Sequence, residues 1–130
     1  MEFVKNQEKY WEFIRNLRNH DDVKLGFIRQ DHISRENHLH YMEKHGESFY
    51  LCLIDENPAG YVGVIDRDIR VATHPDFQGK GVGKFMINTL MTLYPDSLAK
   101  VKIENTPSLR LFEACGFTKR YYILEKQHNE

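Results

Sequence analysis

Val71-Ala72-Thr73-His74-Pro75-Asp76-Phe77-Gln78-Gly79-Lys80-Gly81-Val82-Gly83-Lys84 passes from a β-rich run through a loop and a glycine cluster into a helix. Alternate glycines at 79, 81 and 83 let the backbone approach a ligand closely, because no Cβ intervenes and unusual dihedrals are open to them. The helix that follows carries Val82, Phe85, Met86, Leu90 and Leu93 on one face and stops at Pro95. Its first N–H groups lack intrahelical partners and carry partial positive charge, so this junction predicts an anion site. Lys80 and Lys84 add cationic reach, and the ligand expected is a phosphate or pyrophosphate. The spacing fits neither common nucleotide motif. Lys84 occupies the place where a triphosphate loop needs its second glycine, and also where a dinucleotide fingerprint needs its last Gly or Ala. A plain solvated glycine turn is the competing reading.

Upstream, Phe49–Ile54, Tyr61–Ile65 and Ile69–Thr73 are β-rich runs separated by Asp55–Gly60 and by Asp66-Arg67-Asp68, the pattern of an antiparallel meander. Before them, Tyr10, Phe13, Ile14 and Leu17 form a helical stripe that ends at the polar break Asn19–Asp22. A second helix is predicted from Ser34 with Leu39 and Met42 inward, and Met1–Lys5 is a short first strand. Downstream, Val101 and Ile103 alternate with Lys100, Lys102 and Glu104 as a half-buried strand. Thr106 is the expected N-cap, with Pro107 at the first helical position, of a short helix carrying Leu109, Phe112 and Cys115 inward, Gly116 caps it, and Phe117–Leu124 reads as a last strand. The expected fold class is α/β: one central mixed, mostly antiparallel sheet flanked by helices.

The whole chain has 130 residues, 41% of them hydrophobic and 28% charged, which predicts a single globular domain. Eighteen basic against nineteen acidic residues leave a net charge of −1, so no basic field favours nucleic acid or an anionic membrane. No apolar run reaches the roughly 20 residues of a membrane span, and Met1-Glu2-Phe3-Val4-Lys5 does not read as a signal peptide. Cys52 and Cys115 lack metal or disulfide spacing and are expected as reduced residues of a cytoplasmic protein. His38 and His40 are two apart on a predicted helix and point to different faces, so no metal is expected. The grouping of His32, His38, His40 and His45 has no assigned role.

Val71 to Gly83 resembles the acetyl-CoA loop of the GNAT superfamily of N-acetyltransferases, with Gln78, Gly81 and Gly83 in the places of Gln/Arg-x-x-Gly-x-Gly/Ala. Asn105-Thr106-Pro107-Ser108-Leu109-Arg110-Leu111-Phe112-Glu113-Ala114-Cys115-Gly116-Phe117 is similar to that family's second signature. The resemblance implies that backbone N–H groups from Gln78 through Gly79, Lys80, Gly81, Val82 and Gly83 to Lys84 hold the pyrophosphate of acetyl-CoA. Val71 and Thr73 would offer backbone groups to the cofactor, the N–H of Val71 facing the thioester carbonyl as an oxyanion donor, with Asn105 and Ser108 near the pantetheine arm.

The reaction implied is direct acetyl transfer to a primary amine in a ternary complex, which needs a base because an ammonium cannot attack. Asp66 and Asp68 are the candidates, with Glu104 behind them, although solvated turn residues are the commoner role for such aspartates. The family often has tyrosine where this chain has Phe112. Phenylalanine has no proton to give, so Tyr121, Tyr122, Ser108 or solvent would have to serve.

Trp11 to Lys24 and Ile33-Ser34-x-Glu36-x-His38-Leu39 are similar to a subgroup that acetylates amino groups on nucleotide-linked deoxy sugars, others of which acetylate ribosomal-protein amino termini. On that resemblance Arg18, Asn19, His32 and His38 are candidate acceptor contacts. A small-molecule amine is the expected partner of a monomer or homodimer. Two alternatives stay open, a peptide or protein amino-terminal acetyltransferase and a non-catalytic acyl-CoA-binding module.

Overall fold

Two tight hairpins organise the sheet. In the computed structural model, which describes residues 1–29 and 31–127, β2 (Phe49–Ile54), β3 (Asn57–Ile65) and β4 (Asp68–Thr73) run antiparallel in succession. Asp55-Glu56 and Asp66-Arg67 turn the chain with both residues at positive φ, between 50° and 69°. That is the two-residue hairpin geometry whose twist matches the strands, and aspartate tolerates it better than most residues. β1 (Glu2–Lys5) pairs with β2, giving the order β1-β2-β3-β4 with β1 and β4 at the edges.

Side-chain alternation gives each face its own core. On one, Phe49, Leu51, Leu53, Tyr61 and Ala72 meet Ile14 and Leu17 of α1 (Glu8–Asn19) and Met42 of α3 (Arg35–His45). On the other, Tyr50, Cys52, Val62 and Ile69 meet Val82, Met86, Ile87 and Leu90 of α4 (Val82–Leu93) and Phe112 of α5 (Thr106–Ala114). The expected fold class is therefore the observed one, a sheet covered by helices on both faces. Ser34 accepts from the Asn37 amide as the N-cap of α3. Gly116, at φ 93°, follows the end of α5 as expected of a capping glycine. No described helix is long and apolar enough to cross a membrane.

Several elements differ from expectation. The polar break holds a one-turn helix, α2 (Asp21–Lys24), because the His20 side chain caps it by accepting from the Asp22 amide. On α3 the inward residue beside Met42 is His38, while Leu39 is exposed. The strand expected at Val101 and Ile103 does not form. Pairing with β4 is confined to a parallel bridge at Asp68↔Leu98, where the Ile69 amide donates to Leu98 O (2.9 Å) and the Leu98 amide to Arg67 O (2.8 Å). Beyond it Ile103 is 93% exposed. The last expected strand, Phe117–Leu124, is also irregular. Phe117 packs edge-on against Phe112 (5.2 Å), but Tyr121, Tyr122, Ile123 and Leu124 are exposed. β propensity measures fit to a pleated, half-buried surface, and these residues have no strand beside them to supply one.

Candidate active site

The open edge of β4 is where the chain leaves donors unused. The Ile69 N–H points away from β3, toward Leu98, whereas the His74 N–H points back to Ala59 O (2.8 Å). Antiparallel alternation therefore turns the Val71 and Thr73 N–H groups to the same open side as that of Ile69. Where β4 ends, a 3-10 turn (Pro75–Phe77) leads into Gly79 and Gly81, both left-handed at φ 79° and 80°. Gly81 is the N-cap of α4 and offers no side chain to its first turn.

Among the described residues no backbone partner exists for the amides of Gly79, Gly81, Val82, Gly83 or Lys84, while Gln78-Gly79 form a tight turn that the Lys80 amide closes, and the Phe85 amide bonds Gly81 O at 3.0 Å. The Gln78 amide is spent on Pro75 O. Side-chain atoms at the glycines would have room: a Cβ on Gly79 meets nothing within 4 Å and one on Gly81 meets only Met1 Cε at 3.9 Å. Unpaired N–H groups at a helix start beside unfilled space form an anion cradle, and a diphosphate fits its donor set.

Asn105 rather than the expected Thr106 caps α5, its Oδ1 accepting from the Ser108 amide (3.2 Å) while Nδ2 donates to Gly26 O (3.2 Å). Its side chain thus ties the loop after α2 to α5. Lys80 rests over the Phe77 ring (5.6 Å), and Lys84 is exposed.

The candidate bases separate. Asp66 occupies an exposed left-handed turn position and Glu104 is exposed. Asp68 is on the α1–α3 face of β4, its side chain 17% exposed and 3.2 Å from Arg70 Nε. Of the four acceptor candidates, Asn19 is committed to the loop before α3, accepting from the Ile33 amide (2.8 Å) and donating to Ile33 O (2.9 Å). His32 is exposed. His38 is 2% exposed and linked to Arg18.

Arg18 Nη1 can only donate, so at 3.3 Å it fixes His38 Nδ1 as acceptor, and Nε2–H donates to Trp11 O at 2.8 Å. Burial is the chief reason the imidazole titrates below its usual 6.5; the Trp11 carbonyl and Glu12 work against that, and Arg18 and Arg15 reinforce it. Below 6.5 the unfolded chain takes up a proton that folded His38 refuses, so stability falls as pH drops from 6.5 toward the lower folded value. Urea unfolding across this range is expected to show that slope in the native chain, and a shallower one in His38→Gln.

Sequence reasoning missed two groups here. Tyr41 carries the Arg18 guanidinium 4.4 Å above its ring, a contact prepared by the His38-to-Tyr41 spacing of one helical turn. A cleft of about 400 Å³ lies between α1 and the loop after β4, lined among others by Phe13, His20, Asn57, His74 and Phe77. The His20 and His74 rings are 6.0 Å apart there, and each Nδ1 accepts an amide two residues on, a His-x-Asp pattern visible in the chain. Among the described residues no group of three His, Cys, Asp or Glu side chains could hold a metal.

The family model described as "Acetyltransferase (GNAT) family" matches residues 9–117. The chain is 23% identical over 133 residues to spermidine N(1)-acetyltransferase of Vibrio cholerae, covering 88% of this chain and 76% of that protein. Among solved structures, Vibrio cholerae spermidine N-acetyltransferase in complex with CoA and spermine superposes with a TM-score of 0.82 at 19% identity, over 99% of this chain and 87% of that one. A Salmonella typhimurium protein solved with acetyl-CoA gives 0.76 at 19% identity, over 91% and 79%. At such identities the structural likenesses speak for the fold.

Proposed function

The chain belongs to the GNAT acetyltransferase family, matched from residue 9 to 117, and on that premise we propose that it transfers acetyl from acetyl-CoA to a small primary amine at the open edge of β4. The observation that carries this reading is the set of five amides without a backbone partner among the described residues, around two left-handed glycines and next to outward N–H groups on β4. Those amides and the α4 N-terminus would hold the diphosphate of the coenzyme, with Lys80 and Lys84 adding charge. The coenzyme supplies an activated acetyl thioester. The Val71 N–H, fixed by the β3–β4 ladder, is positioned to donate to developing negative charge without reorganising, which makes such donors effective.

Asp68 is our candidate for accepting the amine proton. It shares the α1–α3 face with Arg70 and Ala72, and two strand residues, Ile69 and Arg70, separate it from Val71, about 10 Å along the strand. Water would relay the proton over that distance. Phe112 is buried against Phe117, and no side chain is assigned the acid role. The similarity to the Vibrio cholerae enzyme supports a small amine as acceptor, and the resemblance of residues 11–39 supports an amino-sugar nucleotide. These differ in charge.

The test is thiol release from acetyl-CoA as primary amines are added, beside saturable CoA binding. Binding without release for every amine would reduce the chain to an acyl-CoA-binding module. Asp68→Asn is expected to lower kcat about 100-fold with CoA affinity unchanged, and Asp66→Asn and Glu104→Gln to stay within about twofold of the native rate. Steady-state thiol assays and calorimetric CoA titrations check both.

A further inference from the structure

We propose, resting on the acetyl-transfer reading above, that the acceptor amine also carries an oxyanion, a carboxylate or a phosphate, held by the guanidinium groups of Arg18 and Arg70. The face of the sheet decides the approach. Both faces of β4 are packed, but on the α1–α3 side Asp68 and Arg70 stay partly exposed and the cleft lined by Phe13, His20 and His74 opens beside the end of the strand, so the acceptor is taken to approach the Val71 edge from there. Strand register places Arg70 on that side, opposite Gly63 and two residues from both Asp68 and Ala72.

Arg18 comes to the same region from the last turn of α1. It is held in place over the Tyr41 ring (4.4 Å) and by His38 (3.3 Å), itself anchored on the Trp11 carbonyl. Tyr41 also meets the Phe49 ring (6.0 Å), which lies over Gly63, the strand partner of Arg70, so one aromatic row runs from Arg18 to the Arg70 position. In keeping with this, both cations oppose the rise in phenol pKa that burial causes at Tyr41 and Tyr61.

The donors are available. Among the described residues Arg18 Nη2 and Nε and both terminal nitrogens of Arg70 have no partner, and the Arg70 side chain is 46% exposed. A planar guanidinium fork matches carboxylate or phosphate geometry, and a side chain already held by packing loses less freedom on binding. Acidic groups that would receive a second ammonium are engaged: Asp68 by Arg70 (3.2 Å), and Glu12 by Arg15 (2.6 Å) and Arg35 (3.5 Å). A polyamine would meet two cations here, and like-charge juxtaposition is an effective means of excluding a partner.

The experiment uses CoA-saturated protein, so that the glycine loop is filled, and four probes: O-phosphoethanolamine, β-alanine, ethanolamine and spermidine. The guanidinium Nε–Hε resonances of Arg18 and Arg70, assigned with Arg18→Gln and Arg70→Gln, are followed during titration. Both resonances are expected to shift with O-phosphoethanolamine or β-alanine and to stay in place with ethanolamine. Whichever of the first two acts at lower concentration identifies the oxyanion. In thiol release the oxyanion-bearing probes are expected to exceed ethanolamine and spermidine at least tenfold in kcat/KM, and Arg70→Gln to cut that advantage to about twofold. Resonances unmoved by both oxyanion probes, or spermidine turned over ahead of them, overturn the proposal. Shifted resonances with no thiol release from any amine uphold the anion site and remove the transfer reading.

Discussion

Gly81→Val is expected to weaken CoA binding about 100-fold or more while the chain stays folded. Gly81 is left-handed at φ 80° and directly precedes the first turn of α4, in the middle of the unpartnered amides. A branched side chain there enters the space the diphosphate needs and pulls φ toward negative values, turning the neighbouring N–H groups. Hydrogen bonds to a charged group contribute about 1.5 kcal/mol or more each, so losing two costs about 3 kcal/mol. That corresponds to about a hundredfold in affinity. The folded chain loses about 1–2 kcal/mol from left-handed strain, and the only described neighbour of the new Cβ is Met1 Cε at 3.9 Å. Calorimetric CoA titration and urea unfolding measure the two effects separately. Normal affinity in this variant would show that the loop does not hold the coenzyme.

Gly60→Ala acts on the same edge from behind. A Cβ on Gly60 would sit 2.7 Å from Ala72 O, 2.9 Å from Met86 Cε and 3.3 Å from Thr73 Cα. Met86 is fully buried, and the other two atoms are backbone of the strand that carries the Val71 and Thr73 N–H groups. The β3–β4 spacing must widen to accept one methyl group. Overpacking of this kind costs about 3 kcal/mol. The expected result is that much loss in the urea unfolding free energy together with weaker CoA binding, because β4 shifts against the glycine loop. Unchanged unfolding would mean that β3 and β4 are not packed at this distance.

The chain announces its local geometry well. The turn at Asp66-Arg67, the Ser34 cap, the proline after α4 and Gly116 after α5 were all legible, because each depends on how a side chain biases its own backbone. The turn expected over Asp55–Gly60, by contrast, is only Asp55-Glu56, since Asn57–Gly60 pair with β2 as the start of β3. The same holds for Gly79 and Gly81, whose left-handed conformations create the cradle. Less legible were the two C-terminal strands. Val101, Ile103 and Tyr121–Leu124 have strand-forming side chains, but a strand exists only where another edge satisfies its backbone, and pairing stops at Leu98. Helix periodicity likewise ranks Leu39 above His38, since it takes no account of the Trp11 carbonyl and the Arg18 guanidinium that make burial of an imidazole tolerable.

Sequence by itself determined the backbone of the glycine loop, the meander and the family signatures, because dihedral preference and motif spacing are properties of neighbouring residues. Tertiary structure alone decided that Asp68 rather than Asp66 faces the α1–α3 side, that Asn105 is committed to a helix cap and to Gly26, and that Arg18, seated over Tyr41, and Arg70 come to the same side of the sheet. Arg18 and Arg70 come from a helix and an edge strand far apart in the chain. Only the packing of α1 and α3 across the sheet sets their separation, and no local preference encodes a distance between elements.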